Sequence, residues 1–269
     1  MNFKSYLYLY YFNSIYLNDI QNKKFNTSMR YASSNGHIEI VQLMLDHGVN
    51  DFYLSMIYAS ENGHIEIVKL MLDQCTENSL NWSMIYACQN GHIEIIQLLL
   101  DHGANSFNQS MEYAILFGHI NIVKLMLDHG ANNFNWSMEY ASLNGFIDIV
   151  QLMLDHGADN FNTSMEKATL FGHIEIVKLM LDHCADRQLD FNKSMEYASY
   201  NGFIDIVQLM LDYGADNFNL SMEKASYYGH VEIVQLMLDH GANSFNESME
   251  NASKKGHIEI VELLKKYKK

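Results

Sequence analysis

The sequence contains no proline, only three cysteines among 269 residues, and far fewer basic than acidic side chains. Without proline, no helix is interrupted by a residue that lacks a backbone N–H. An odd number of cysteines with no C-x-x-C spacing argues against a disulfide framework and indicates a reducing compartment. The 17 basic and 32 acidic residues give a formal charge of −15, which argues against nucleic acid or an acidic membrane surface as a partner.

Long apolar runs are also missing. The aromatic segment 3–17 is too short to span a bilayer and has no small-residue cleavage site, so we expect an intracellular, cytoplasmic protein. Residues 1–24 are predicted to form an N-terminal capping segment for the repeats that follow. No glycine-rich phosphate loop and no Ser/His/Asp or Cys/His arrangement occurs outside the periodic positions. We therefore expect no enzyme and no cofactor.

What the sequence does contain is one stretch repeated nine times, written most clearly at 137–161 as SMEYASLNGFIDIVQLMLDHGADNF. The copies are 27 residues apart, except for one spacing of 28 and one of 30, and each is anchored by a serine: Ser28, Ser55, Ser83, Ser110, Ser137, Ser164, Ser194, Ser221 and Ser248. Such a period predicts one elongated array over 25–269, in which stacked units bury apolar faces that no unit can bury alone.

Positions within a copy are counted from its serine. Methionine at +1, alanine at +4 and glycine at +8 predict a first helix that has the serine at its N-cap or in its first turn and ends at the glycine. Apolar residues from +10 to +17 predict a second helix that is buried except for one polar stripe. A second glycine closes most copies, but Cys75 and Cys184 replace it where the spacing lengthens, so we expect different loops there and no nucleophilic role. The last copy ends in a basic C-terminal cap, KKYKK.

The composite pattern GHIEIVKLMLDHGAD resembles the second helix and following turn of the ankyrin repeat, and the resemblance covers about nine-tenths of the chain. The family repeat has roughly 33 residues and a TPLHxA helix start. Here SMEYA stands in that place, and the missing residues fall where the family has its finger loop. The resemblance therefore implies an all-α, ankyrin-type solenoid with shortened finger loops. Ankyrin arrays of giant DNA viruses of amoebae have similarly short repeats, so we expect a viral protein.

The resemblance also implies a non-catalytic scaffold that binds a protein partner on the concave face of the solenoid. Positions +6 and +7 point away from the core on a helical wheel and differ among the copies, and −1 lies at the edge of the groove. Large apolar residues at these positions are the predicted partner-binding residues: Leu116, Phe117, Leu143, Leu170, Phe171, Tyr200, Tyr227, Tyr228, Trp82 and Trp136. Alternatively, these side chains pack between repeats, and the array is a structural spacer or self-associates. Our expectation is a monomer.

Histidine, methionine and asparagine are frequent, but each recurs once or twice per repeat. Neighbouring histidines should then be about 10 Å apart, too far to share a metal ion, so no metal site is expected. Seven histidines follow the first glycine and should form hydrogen bonds at the turn, while six near the closing glycine complement the helix dipole. The methionines at +1 and +16 are predicted core residues. The eight Asn-x-Ser sequons come with the helix start, and no glycosylation is expected.

Overall fold

The structure is a computed structural model and describes residues 25–184 and 189–268. The predicted capping segment 1–24 lies outside the described residues. The described part contains eighteen α-helices and no β-strand, which confirms the all-α, helical-repeat solenoid class. The chain divides into two compact units, 1–132 and 133–269, called here the N-terminal and C-terminal units.

The N-terminal unit contains the first four repeats, each a first helix followed by a second helix. In chain order the helices are α1 Phe25–Ser34, α2 Ile38–Asp46, α3 Phe52–Glu61, α4 Ile65–Met71, α5 Glu77–Asn90, α6 Ile93–Asp101, α7 Phe107–Leu116 and α8 Ile120–Asp128. A short 3₁₀ turn, Leu72–Gln74, follows α4. Each first helix packs on its own second helix and on the first helix of the next repeat within the unit.

The C-terminal unit contains the other five repeats and has the same arrangement. Its helices are α9 Phe134–Asn144, α10 Ile147–Asp155, α11 Phe161–Leu170, α12 Ile174–His183, α13 Phe191–Asn201, α14 Ile204–Asp212, α15 Phe218–Tyr228, α16 Val231–Asp239, α17 Phe245–Lys255 and α18 Ile258–Tyr267. Neighbouring first helices contact one another more extensively than neighbouring second helices do.

The core of both units is formed by the repeated small and apolar positions. The methionine at +1 is fully buried in the first eight repeats and half-buried in the last, at Met249. All the +16 methionines and the +4 alanines are buried as well, so the predicted core positions are confirmed. The small alanines let neighbouring first helices approach closely, and the flexible methionines fill the irregular space between the helices.

The second helices are less buried than the sequence predicted. Only position +16 is buried in every repeat. Positions +12 and +13 are buried in all but the terminal repeats, where Ile40 and Val261 are half-buried, and the first residue of the helix is partly exposed, up to 70% at Ile258. The physical reason is that these helices have few contacts with their neighbours along the stack. Each is covered mainly on the side that faces its own first helix.

The anchoring serine lies in the first turn of the first helix and is not its N-cap, except that Ser83 lies further along α5, which begins at Glu77. In the fifth repeat α9 begins at Phe134, and the backbone N–H of Ser137 donates to the carbonyl of Asn133, 3.1 Å away. The side chain is completely buried between helices. The hydroxyls of Ser137, Ser164 and Ser194 have no hydrogen-bond partner in the described part of the chain.

The connections between repeats are short, as the sequence predicted. Between α10 and α11, for example, only residues 156–160 intervene, and the closing Gly157 has φ +91°. Where cysteine replaces this glycine, the route differs, because Cys75 is extended at φ −97° and ψ 148° and the next helix begins earlier, at Glu77. Cys184 ends α12 at φ −115°.

The histidine after the first glycine joins adjacent repeats. Nε2 of His173 donates to the carbonyl of Leu143, 3.1 Å away, and its ring lies on Gly145. A Cβ at Gly145 would be 2.7 Å from the ring, and the backbone there has φ +79°, so only glycine fits. The predicted hydrogen bond is thus confirmed, and it runs between repeats. The same bond is formed by His64, His92, His119, His230 and His257.

The second set of histidines closes the second helices. Nδ1 of His156 donates to the carbonyl of Leu152 at 2.8 Å, and its ring centroid is 5.6 Å from that of Phe134. The same carbonyl also lies 3.3 Å from the backbone nitrogen of His156, so the ring adds a second hydrogen bond at the C-terminal end of the helix. The histidine therefore links the end of the second helix to the start of the first helix of the same repeat.

Candidate functional site

Position +7, at the end of each first helix, is asparagine or a large aromatic residue in eight repeats and Lys255 in the last. In five repeats it is asparagine, and its side-chain Nδ2 donates to the backbone carbonyl of the residue four positions earlier, over 2.8–3.1 Å. The same carbonyl also accepts from the backbone N–H of the asparagine, as at Asn35 and Asn62, so the side chain adds a second hydrogen bond at the helix end. The five residues are Asn35, Asn62, Asn90, Asn144 and Asn201. At this position, asparagine therefore stabilises the helix that it ends.

Phe117, Phe171 and Tyr228 occupy the same position without an amide to donate. They are exposed by 54%, 54% and 40%, so they do not compensate by filling the core. In these three repeats a capping side chain is replaced by a large aromatic one that faces solvent.

In the N-terminal unit the predicted residues are Leu116, Phe117 and Trp82. Leu116 is 39% exposed, and the Phe117 ring stacks on the His119 ring with their centroids 6.5 Å apart. Trp82 is half-buried and lies 6.2 Å from the ring of Tyr86. The Tyr86 ring is in turn 6.4 Å from Tyr113 on the next first helix.

In the C-terminal unit three predicted tyrosines come together on α13 and α15. The ring centroids of Tyr200 and Tyr228 are 4.1 Å apart, and those of Tyr227 and Tyr228 are 4.8 Å apart. The hydrogen bond with Tyr200, together with burial and the neighbouring phenols, raises the pKa of Tyr228 to about 12. The phenol of Tyr228 therefore stays protonated at physiological pH and can donate a hydrogen bond. Leu143, Leu170 and Tyr227 are half-buried, whereas Tyr200 is exposed.

Trp136 lies in a mixed aromatic and charged cluster of the same unit. Its ring stacks on Tyr140 with centroids 3.9 Å apart, and Nζ of Lys167 lies 4.6 Å above Tyr140. Lys167 also forms an ion pair with Glu139 at 2.8 Å. Cation–π contact and ion pairing thus hold a half-buried tryptophan on the first-helix face.

Of the ten predicted residues, none is fully buried. Leu116, Phe117, Phe171, Tyr200 and Tyr228 are exposed, and the other five are half-buried. That they bind a partner stays a prediction.

Within each unit, tyrosines at +3 lie beside the predicted residues but were missed by the sequence reasoning. Tyr31 is 67% exposed and Tyr58 37% exposed, and Tyr86, Tyr113 and Tyr140 contact the aromatic residues described above. Positions −1, +3 and +7 are spaced by four residues, which places them on one stripe of a helix. That spacing was the signal in the sequence that pointed to them.

The described residues contain no group of three or more His, Cys, Asp or Glu side chains arranged to hold a metal ion. A shallow groove of about 600 Å³ lies between α14, α16 and α18, and its wall includes Glu232, Glu259 and Glu262. Cys88 is fully buried, and burial raises the pKa of its thiol to about 12. Within residues 25–184 and 189–268, no helix combines the length and the hydropathy needed to cross a membrane.

Repeated helix pairs that pack on their neighbours define a helical-repeat protein. The family model described as ankyrin repeats (three copies) matches residues 6–81, 56–135, 137–222 and 197–269, and the chain belongs to the ankyrin-repeat family. The first match begins inside the predicted capping segment. No curated protein matches the sequence. Ankyrin repeats are generally protein–protein interaction modules, and proteins built from them are typically non-enzymatic scaffolds.

Proposed function

We propose that this chain is a non-catalytic scaffold inside the cell that binds a protein partner on the concave surface formed by its first helices. Position +7 carries the proposal. Phe117, Phe171 and Tyr228 stand where other repeats place a capping asparagine, and their side chains are exposed. A residue selected for folding alone would cap the helix. Exposed aromatic side chains are the kind that provide the main contacts of protein interfaces.

The proposal includes four further features. The formal charge of −15 supports a protein partner over nucleic acid or an acidic membrane. The odd cysteine count supports a reducing, cytoplasmic location. The short repeat supports a viral origin, as in the ankyrin arrays of giant viruses of amoebae. We propose that the chain binds as a monomer.

Replacing Phe171 by asparagine tests the proposal, because asparagine is the residue that caps the helix in five other repeats. We predict that Phe171→Asn reduces capture of the partner from an amoebal lysate at least tenfold. The free energy of unfolding should stay unchanged or rise by up to about 1 kcal/mol, since a capping hydrogen bond is gained. Quantitative mass spectrometry of the captured proteins and urea denaturation measure the two effects.

A matched control is Ile258→Asn, which removes an exposed apolar side chain from a second helix. It should leave capture unchanged. If Phe171→Asn instead lowers the free energy of unfolding by more than about 2 kcal/mol, the side chain is part of the packing between repeats. A mass that rises with concentration in sedimentation would support the alternative, a spacer or self-associating array.

A further inference from the structure

The tyrosine–lysine cluster at the end of the C-terminal unit consists of Tyr200, Tyr227, Tyr228, Lys254 and Lys255. The three rings are in contact, and Nζ of Lys255 lies 4.4 Å over the ring of Tyr227. Three consecutive first helices, α13, α15 and α17, contribute to it. Aromatic faces and ammonium groups are thus presented side by side on one surface.

Other lysines on the first helices of this unit are paired with carboxylates of the preceding repeat. Lys167 pairs with Glu139 at 2.8 Å, and Lys193 pairs with Glu166 at 2.8 Å. Lys224 continues the series with Glu196 at 3.3 Å. These pairs leave no charge for a partner to neutralise.

The last repeat breaks this series. Among the described residues no carboxylate forms an ion pair with Lys255, and its ammonium group contacts only an aromatic ring. Lys254 pairs with Glu250 on its own helix, but both side chains are more than 60% exposed. An exposed pair within one helix is weak and is readily exchanged for another carboxylate. The cluster therefore has two ammonium groups that a partner can use.

We propose that the tyrosine–lysine cluster binds a peptide segment of the partner that carries an acidic side chain next to large apolar side chains. The apolar side chains pack on Tyr200 and Tyr228, and the carboxylate pairs with Lys255. The inference rests on the proposed function and specifies the chemistry of the partner. The charge of −15 opposes a highly acidic partner in general, but screening over about 8 Å at physiological salt lets the local lysines dominate at this contact.

Three synthetic amphipathic peptides test the inference on the full chain. They share the same leucine and phenylalanine positions and have glutamate, glutamine or lysine at all the others. Fluorescence anisotropy should show that the glutamate peptide binds about three- to tenfold more tightly than the glutamine peptide, and the lysine peptide most weakly. The advantage of glutamate should shrink as salt is raised.

Charge reversal at the cluster should reverse the order. The double variant Lys254→Glu/Lys255→Glu should prefer the lysine peptide, while Lys178→Glu, on the second helix α12 of the same unit, should keep the order of the native chain. Circular dichroism checks that each variant is folded.

The outcomes separate the inference from the proposed function. If all three peptides bound the native chain equally and Tyr228→Asn lost that binding, the preference for an acidic side chain would be wrong. The cluster would still be a surface that binds apolar side chains. Failure of the glutamate peptide to bind at about 1 mM would also overturn the inference. The proposed scaffold function would still be decided separately, by how much partner Phe171→Asn captures. A dimer in sedimentation that the glutamate peptide fails to dissociate would make a second copy the occupant.

Discussion

At the scale of single residues, a +7 side chain either caps its own helix or faces solvent. The Asn144 amide donates to the carbonyl of Tyr140 at 2.8 Å, which adds a side-chain hydrogen bond at the end of the helix. The phenylalanine side chains at Phe117 and Phe171 give no hydrogen bond and remain half exposed. The fold tolerates this because the turn is still closed by the backbone: the N–H groups of Gly118 and His119 donate to the carbonyls of Ile115 and Ala114 at 3.1 and 2.9 Å.

Cys88 gives a prediction for alkaline pH. Burial raises the pKa of its thiol from 9.0 to about 12, an effect that the neighbouring Ser110 hydroxyl only partly opposes. Because the folded-state pKa is raised, the stabilisation is complete below pH 9 and is lost as pH rises toward 12. Between pH 8 and pH 10 the free energy of unfolding of the native chain should fall by about 1 kcal/mol more than that of Cys88→Ser. Denaturation curves of the two proteins at each pH measure this difference.

Serine is a suitable replacement for Cys88 because other repeats have it at the same position, as at Ser142 and Ser199, where it is fully buried. Between pH 7 and 8 the difference in stability between the two proteins should be constant. A difference that stays constant up to pH 11 would mean that the thiol ionises in the folded chain as readily as in the unfolded one.

At the scale of secondary structure elements, the asparagine in six of the eight sequons connects the start of one first helix to the loop before the next. Oδ1 of Asn135 accepts from the backbone N–H of Asp159 at 2.7 Å and of Asn160 at 3.2 Å. Its Nδ2 donates to the side chain of Asp159 at 3.0 Å. From the sequence alone these asparagines are only a by-product of the helix start, because the contact runs between repeats and leaves no pattern within one copy.

This contact predicts different effects for the same substitution at two equivalent sites. Asn135→Asp places a second carboxylate against Asp159, whereas Asn219→Asp faces the neutral Asn243. We expect Asn135→Asp to lower the free energy of unfolding by about 2 kcal/mol and Asn219→Asp by less than about 1 kcal/mol. Urea denaturation at pH 7 measures both, and the gap should narrow in high salt. Equal losses would show that the bond donated by Nδ2 contributes nothing.

The two helices of each repeat were predictable from the sequence, but their packing against neighbouring repeats was predictable only in part. Periodic methionine, alanine and glycine predicted both helices of every repeat and their ends, because local sequence determines helix formation and termination. The exposure of Ile258 was not predicted, since it depends on how far apart neighbouring second helices lie. The ion pairs of Lys167 and Lys224 were missed for the same reason, because they depend on the register between repeats.

At the scale of the whole molecule, each unit is held together by contacts between adjacent repeats. Histidine rings, asparagine side chains and lysine–glutamate pairs all connect a repeat to the next one along the chain. In such an array, stability is close to a sum of repeat terms and interface terms. A substitution that damages the core of an internal repeat should therefore lower the free energy of unfolding more than the same substitution in a terminal repeat.

Two methionines at the same position test this description of the C-terminal unit. Met195 is fully buried in the third repeat of the unit, whereas Met249 in the last repeat is only half-buried. Met195→Ala should cost about 2–5 kcal/mol and increase amide hydrogen exchange in the repeats on both sides, because it weakens two interfaces. Met249→Ala should cost about 1 kcal/mol, with faster exchange confined to α17 and α18. If Met249→Ala accelerated exchange throughout the unit to the same extent, the unit would unfold as a single cooperative domain, and nearest-neighbour coupling would not describe it.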